Sequence, residues 1–290
     1  MGTVLASGQC FVRDLPPMAE ARTQESRSYL AEPDIHEQWE SDYLNPEVEP
    51  FYEAAFDAIV RRLGVPPGAA LLDAGCGYCL HAARYARRGL EVTGVDFSAS
   101  ALQAARRNLD RNGLAGHVTL VEGDLLGLPF ADAQFDVVSC WGVLMHIPEV
   151  ERALSELVRV LKPGGRLVLM ENNADSLHVK LFEPALRTLK RFVRRRIADR
   201  ERNVRGVEEW MRQEDGGLMV RKIDVEWLEG FLAQHGCHLV DRFAGQLTEA
   251  YTALPLRALK RVLYRANMAY FEHGGNPRYA MGNIMIFAKD

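Results

Sequence analysis

The apolar positions change period several times along the chain. From Ile35 to Leu63 the residues Trp39, Tyr43, Phe51, Phe56, Ile59 and Val60 recur at largely helical spacing, broken at Asn45-Pro46 and Glu49-Pro50, which predicts two helices. Val65-Pro66-Pro67-Gly68 ends that segment. Short apolar runs then alternate with longer helical stretches. Ala70–Leu72, Glu91–Val95, Val118–Val121, Phe135–Cys140 and Arg166–Met170 read as strands, with helices over Leu80–Arg88, Ser98–Asn112 and Glu149–Leu161. Further on, Asp224–His235 reads as a helix, and His238–Phe243 and Asn283–Ala288 as two more strands. Alternation of this kind builds a doubly wound α/β fold, a mostly parallel sheet of seven strands covered on both faces. Right-handed crossovers bring the strand ends to one edge, where ligands bind.

Three regions depart from this regularity. Residues 1–34 show no sustained period and contain Pro16-Pro17, so a flexible N-terminal arm is expected before a core over 35–172. Residues 173–222, after the fifth strand, read as a helical, basic insertion, a lid; residues 223–290 return to the core with a second helical insertion at about 248–280, after the sixth strand. From Lys180 to Arg205 there are ten Lys or Arg against three acids (Glu183, Asp199, Glu201), while Phe182, Leu186, Leu189, Val193 and Ile197 share one helical face. Such a helix suits an anionic membrane surface or an acidic ligand, or else it packs its stripe on the sheet and turns its arginines to water.

A net charge of -4 over 290 residues lacks the basic excess of a general nucleic-acid binder, so no nucleic-acid partner is expected. The five cysteines are odd in number and scattered, which argues against a disulfide framework. No cationic start precedes an apolar run, no stretch is long enough for a membrane span, and Ala6 stands where a myristoylation pattern needs Ser or Thr. A cytoplasmic protein is the expectation.

The strongest chemical signal is Leu71-Leu72-Asp73-Ala74-Gly75-Cys76-Gly77, at a strand end directly before a helix. Glycines there let the backbone approach a ligand, and the helix start offers free N–H groups. A second strand ends in Asp96, 19 residues beyond Gly77, where a carboxylate can accept from ribose hydroxyls. The third position of a dinucleotide fingerprint falls at Leu80, and Asp73 would repel a pyrophosphate but attract a cationic amino-acid portion. This favours S-adenosylmethionine over NAD. Cys76 and Cys79 form a Cys-x-x-Cys, but a redox pair leaves Asp73, Asp96 and Asp124 unexplained, and zinc needs two more close ligands. They read as two small buried side chains, and no metal is expected.

The run from Leu71 to Glu171 resembles class I S-adenosylmethionine-dependent methyltransferases, which have a Rossmann-like sheet. The likeness lies in the Asp-x-Gly-x-Gly turn, Gly94-Val95-Asp96-Phe97-Ser98, Glu122-Gly123-Asp124, Phe135-Asp136-Val137-Val138 and Leu161-Lys162-Pro163-Gly164-Gly165. The resemblance implies that Gly75 and Gly77 pass under the methionine part and that Asp96 holds the ribose. Phe97 would lie against adenine, Asp124, with Leu125 beside it, would accept from its amino group, and Cys140 would offer its backbone near the sulfonium. It extends to Trp39 and Tyr43 on the cofactor side. The sequence departs from the pattern at Cys79, often a third glycine.

The resemblance also implies methyl transfer by direct displacement to an oxygen, nitrogen or carbon of a small-molecule or lipid-like acceptor. The insertions around the sixth strand, with Tyr251, Tyr264, Tyr270, His273, Arg278 and Tyr279, would shape its pocket. His146, just after the fourth strand, can take an acceptor proton or orient its loop. Glu171, Asn172 and Asn173 end the fifth strand at the same edge, where they can bind the acceptor or cap the next helix. Two rivals stand beside this reading. An NAD-dependent oxidoreductase is disfavoured by Leu80 and Asp73, and a catalytically silent cofactor-binding scaffold by the intact acidic and glycine positions.

Overall fold

Strands β1 (Ala70–Ala74), β2 (Glu91–Asp96), β3 (Val118–Glu122), β4 (Phe135–Trp141) and β5 (Leu161–Asn172) are parallel and are joined in one sheet by β9 (Cys237–Ala244) and β10 (Gly282–Lys289). The sheet order is β3-β2-β1-β4-β5-β10-β9, with β10 antiparallel to both neighbours. In this computed structural model residues 17–32, 46–184, 197–212, 217–253 and 257–290 are described. The chain runs outward through β1, β2 and β3 and then reverses at β4, so the crevice outside the carboxyl ends of β1 and β4 is the expected ligand position.

Both faces of the sheet are covered because its strands are apolar on both sides. Leu71, Val137, Val168 and Ile284 face one layer with helices α2 (Glu49–Leu63), α3 (Leu80–Arg87), α4 (Ala99–Arg111) and α7 (Arg257–Glu272). Their neighbours Leu72, Val138, Leu169 and Met285 face α5 (Val150–Val160) and α6 (Val225–Gln234). These side chains are fully buried, and each contributes about 1.5–3 kcal/mol relative to exposure. Ser98 caps α4 by accepting from the Ala101 N–H at 3.2 Å, and Asp224 caps α6 by accepting from the Trp227 N–H at 3.0 Å. Among the described residues no helix is long and apolar enough to cross a membrane.

Two expectations are corrected. The N-terminal arm contains a helix, α1 (Pro17–Leu30). Its sequence carries few apolar residues, so no apolar period announces it. The Ser26 hydroxyl accepts from the Met219 N–H at 3.3 Å, and the Ser100 hydroxyl donates to the Ala31 carbonyl at 2.9 Å.

The segment after the fifth strand, expected to be helical, instead forms over residues 197–223 a separate antiparallel sheet of β6 (Ile197–Asn203), β7 (Gly206–Met211) and β8 (Met219–Ile223). Its periodicity is carried by charge. Glu208 and Glu209 are buried and pair with the buried Arg221 and Lys222 at 2.8 Å each, so a hydrophobic pattern is missing where a strand exists. Lys180, Arg200, Arg202 and Arg205 of the basic run also pair internally, with Asp175, Glu209, Asp175 and Glu208. The stretch around Lys190 to Arg196, including most of the proposed apolar stripe, lies outside the described residues.

Candidate functional site

The turn after β1 is shaped by backbone demands. Gly75 has φ +75°, and a Cβ there would come within 2.6 Å of a Val143 methyl, so a side chain is excluded twice over. The Gly75 and Cys76 N–H groups donate to the Val95 carbonyl at 2.8 and 2.9 Å, tying the turn to the end of β2. Cys79 precedes α3 at φ +62°, a left-handed conformation that accounts for glycine being frequent at this position.

Asp96 closes the arrangement from β2. One carboxylate oxygen accepts from the Gly77 N–H and the other from the Ser98 N–H, both at 2.9 Å, so the group is fixed before any ligand arrives. Asp124, after β3, accepts from the Leu126 N–H at 2.9 Å through Oδ1 and from Arg27 at 2.6 Å through Oδ2. The Arg27 guanidinium lies 5.3 Å from the centre of the Phe97 ring.

These residues border a cavity of about 450 Å³. Gly75, Gly77, Asp96, Phe97, Asp124, Leu125 and His146 all line it. Asp73, Cys140 and Glu171 are not among the lining residues, while Trp141 and Gly142, next to Cys140, are. The Cys140 side chain is wholly buried in the core layer that contains α5 and α6, as strand alternation from Trp141 dictates. Trp39 and Tyr43 lie outside the described residues. Asp73 sits behind the wall with Oδ2 buried and unpartnered. Burial pushes its carboxyl up to about 7, opposed by a backbone hydrogen bond from Ala82 and helped by the charge of Asp96.

A second set of lining residues is aromatic and polar. Tyr52, His81 and Trp141 line the cavity, with His81 4.8 Å from Trp141 and 5.6 Å from Tyr52 between ring centres, and Phe56 stacks behind on both His81 and Trp141. Burial holds the His81 imidazole neutral, well below its usual range, and its Nδ1 is buried without a partner. Glu249 lines the same region beside Asn172. Burial raises the Glu249 carboxyl and the charge of Lys222 opposes that shift. The Asn172 Oδ1 is buried and unpartnered.

His146 rides on the loop after β4, and its Nδ1 is 2.8 Å from the Met219 carbonyl. A carbonyl only accepts, so Nδ1 carries the proton and Nε2 the lone pair of the neutral ring. Burial keeps the pKa below its usual value, so the ring is neutral near pH 7. Arg221, 1% exposed, fixes the loop by donating to the carbonyls of Leu144, Ile147 and Pro148 at 3.1, 2.8 and 3.2 Å. Glu171 secures it from behind by accepting from the Leu144 N–H at 3.2 Å, and burial pushes its carboxyl to about 8.

Sequence reasoning did not find Arg27, Tyr52, His81, Trp141, Gln246 or Glu249 at this cavity. Tyr52 and His81 sit on helices at ordinary core spacing, and Glu249 lies in a loop, so no motif marks any of them. Trp141 alone carried a signal, as the residue that ends β4.

Residues 72–169 match the methyltransferase-domain family model. A demethylmenaquinone methyltransferase of Thermobifida fusca is 41% identical over 116 residues, which is 39% of this chain and 48% of that protein. A 2-phytyl-1,4-naphtoquinone methyltransferase of Trichormus variabilis is 36% identical over 39% of this chain and 50% of its own length. The chain thus spans about half the length of the curated relatives it matches. Among solved structures, an S-adenosylmethionine-dependent methyltransferase of Methanosarcina mazei superposes with a TM-score of 0.55 at 21% identity, over 80% of this chain and 96% of that one. A [4+2]-cyclase superposes at 0.53, also at 21% identity, over 82% and 81%, so the fold by itself does not fix a reaction. Residues 72–169 are thus similar to a methyltransferase domain, and the sheet that contains them has the fold of S-adenosylmethionine-dependent methyltransferases.

Proposed function

We propose that the protein is an S-adenosylmethionine-dependent methyltransferase acting on a small-molecule or lipid-like acceptor. The observation that carries this reading is one cavity bordered by both the Gly75, Gly77, Asp96, Phe97 and Asp124 set and an aromatic and polar set able to hold an organic acceptor. The residues present fit the cofactor. Gly75 keeps the backbone bare, Asp96 is pre-oriented for paired hydroxyls, and Asp73 is a buried carboxyl with a free oxygen, suited to an amino group.

When bound, S-adenosylmethionine supplies a methyl group activated by its sulfonium, which an acceptor oxygen, nitrogen or carbon takes by direct in-line displacement. The chain's own contribution is alignment and exclusion of water. Tyr52, His81 and Trp141 offer apolar ring surface to a planar acceptor, and Asn172 and Glu249 offer hydrogen-bonding groups beside it. The quinone-related acceptors named for the relatives are compatible with such walls. If the acceptor must lose a proton, His146 Nε2 is the group to take it, because its Nδ1–H is committed to Met219. Glu171 acts through the loop. A screen of hydroxylated aromatic, amine and lipid acceptors with methyl-labelled donor tests the reading; labelled product is the expected result, and binding without turnover on any class would favour the silent scaffold.

A further inference from the structure

Three residues of α1 line the cavity: Thr23, Arg27 and Leu30, spaced i, i+4 and i+7 on one helical face. Arg27 meets both Asp124 and Phe97 at once, the two side chains that the cofactor reading gives to adenine. We infer that Arg27 competes with the cofactor's adenine for the Phe97 and Asp124 seat, making α1 a displaceable cap on the cofactor site; this rests on the cofactor reading above.

The first ground is hydrogen-bond capacity. Asp124 Oδ1 is committed to the Leu126 N–H at 2.9 Å, a contact that shapes its own turn, so a purine amino group is directed to Oδ2. That oxygen holds Arg27 at 2.6 Å. The second ground is space. A flat heterocycle between the Phe97 ring and the guanidinium needs two contact distances of about 3.5 Å, roughly 7 Å in all. The observed separation is 5.3 Å, so ring and guanidinium cannot both cover that face of Phe97.

The third ground is that the cap can be displaced. Arg27 and Asp124 are 34% and 39% exposed, so the pair is hydrated and screened, and such pairs are weak. Among the described residues, the C-terminal half of the helix also makes hydrogen bonds through Ser26 to Met219 at 3.3 Å and through Ala31 to Ser100 at 2.9 Å, both of which can persist when Arg27 swings away. Arg27 therefore slows and weakens adenine binding modestly without preventing it.

The test uses the full chain and S-adenosylhomocysteine, which lacks the sulfonium charge and so carries little salt dependence of its own. Association rate and dissociation constant are measured for the parent, Arg27→Ala and Arg27→Gln, with thermal melting as a check of folding. At about 10 mM salt, where charges are screened over about 30 Å, both variants should bind up to about fivefold more tightly and associate faster than the parent. At about 0.15 M the screening length is about 8 Å, and the gap should shrink to less than about twofold because the parent improves. Weaker binding by folded variants would make Arg27 a supporting contact for adenine and overturn the proposal. Equal affinity and rate at both salt concentrations would overturn it too. If neither parent nor variants bind S-adenosylhomocysteine, the cofactor reading itself fails, and the proposal with it.

Discussion

The turn that joins β1 to α3 and the small sheet β6–β8 border the same cavity and are built on opposite principles. Around the turn, each functional group sits where the backbone leaves few choices: a glycine at φ +75°, a carboxylate at a strand end, N–H groups 2.9 Å from it. In the small sheet, position is set by side-chain pairs far apart in sequence. Arg221 reaches the Leu144–Pro148 loop, and Glu208 and Glu209 answer Arg221 and Lys222 across two strands. The turn is thus a local construction, and the small sheet is one that depends on pairs between strands and on contacts to a distant loop.

The largest effect that would break this contrast is on the acceptor side. Arg221→Ala leaves Glu208 without its buried partner and three loop carbonyls short of a donor, and should cost about 3–5 kcal/mol of stability in urea unfolding. Arg221→Lys should cost less. A loss below about 1 kcal/mol would mean that the loop does not depend on the small sheet. Next is Asp96→Ala, which should weaken cofactor binding by about 1.5–3 kcal/mol, the scale of charge-assisted hydrogen bonds, while leaving the melting temperature nearly unchanged. A large drop in melting temperature would show that the carboxylate serves the fold first, through its hydrogen bonds to Gly77 and Ser98.

A smaller effect sharpens the role of Asp73. Burial pushes its carboxyl up to about 7, and an ammonium group bound beside it would favour the ionised form. Affinity for S-adenosylhomocysteine should therefore rise as pH climbs toward 7 and level off above it. Below 7 it should fall by at most about tenfold per pH unit. Asp73→Asn should flatten that profile, and an unchanged profile would place the titration elsewhere. The smallest effect concerns the basic run. Neutralising Arg194, Arg195 and Arg196 together should leave cofactor affinity within about 0.5 kcal/mol of the parent. Loss of sedimentation with anionic vesicles in that variant would show that these charges face a membrane.

The same contrast explains what the sequence made legible. Sheet composition, the glycine turn, Asp96 and Asp124 follow from period and motif, because parallel strands are continuously apolar and their ends carry the ligand groups. The helix α1 escapes a reading by period because it carries few apolar residues, while Arg27 and Ser26 make polar contacts to Asp124 and Met219. Strands β6–β8 escape it because Glu208, Glu209, Arg221 and Lys222 occupy buried positions that a hydrophobic pattern would fill.

The central claim is that the turn after β1, Asp96 and Asp124 form an S-adenosylmethionine site, and one calorimetric experiment meets it directly: titration of the full chain with S-adenosylmethionine, S-adenosylhomocysteine and NAD. Saturable binding of the first two and no heat from NAD is the result this account predicts. Binding of NAD with no response to either S-adenosyl compound would contradict it.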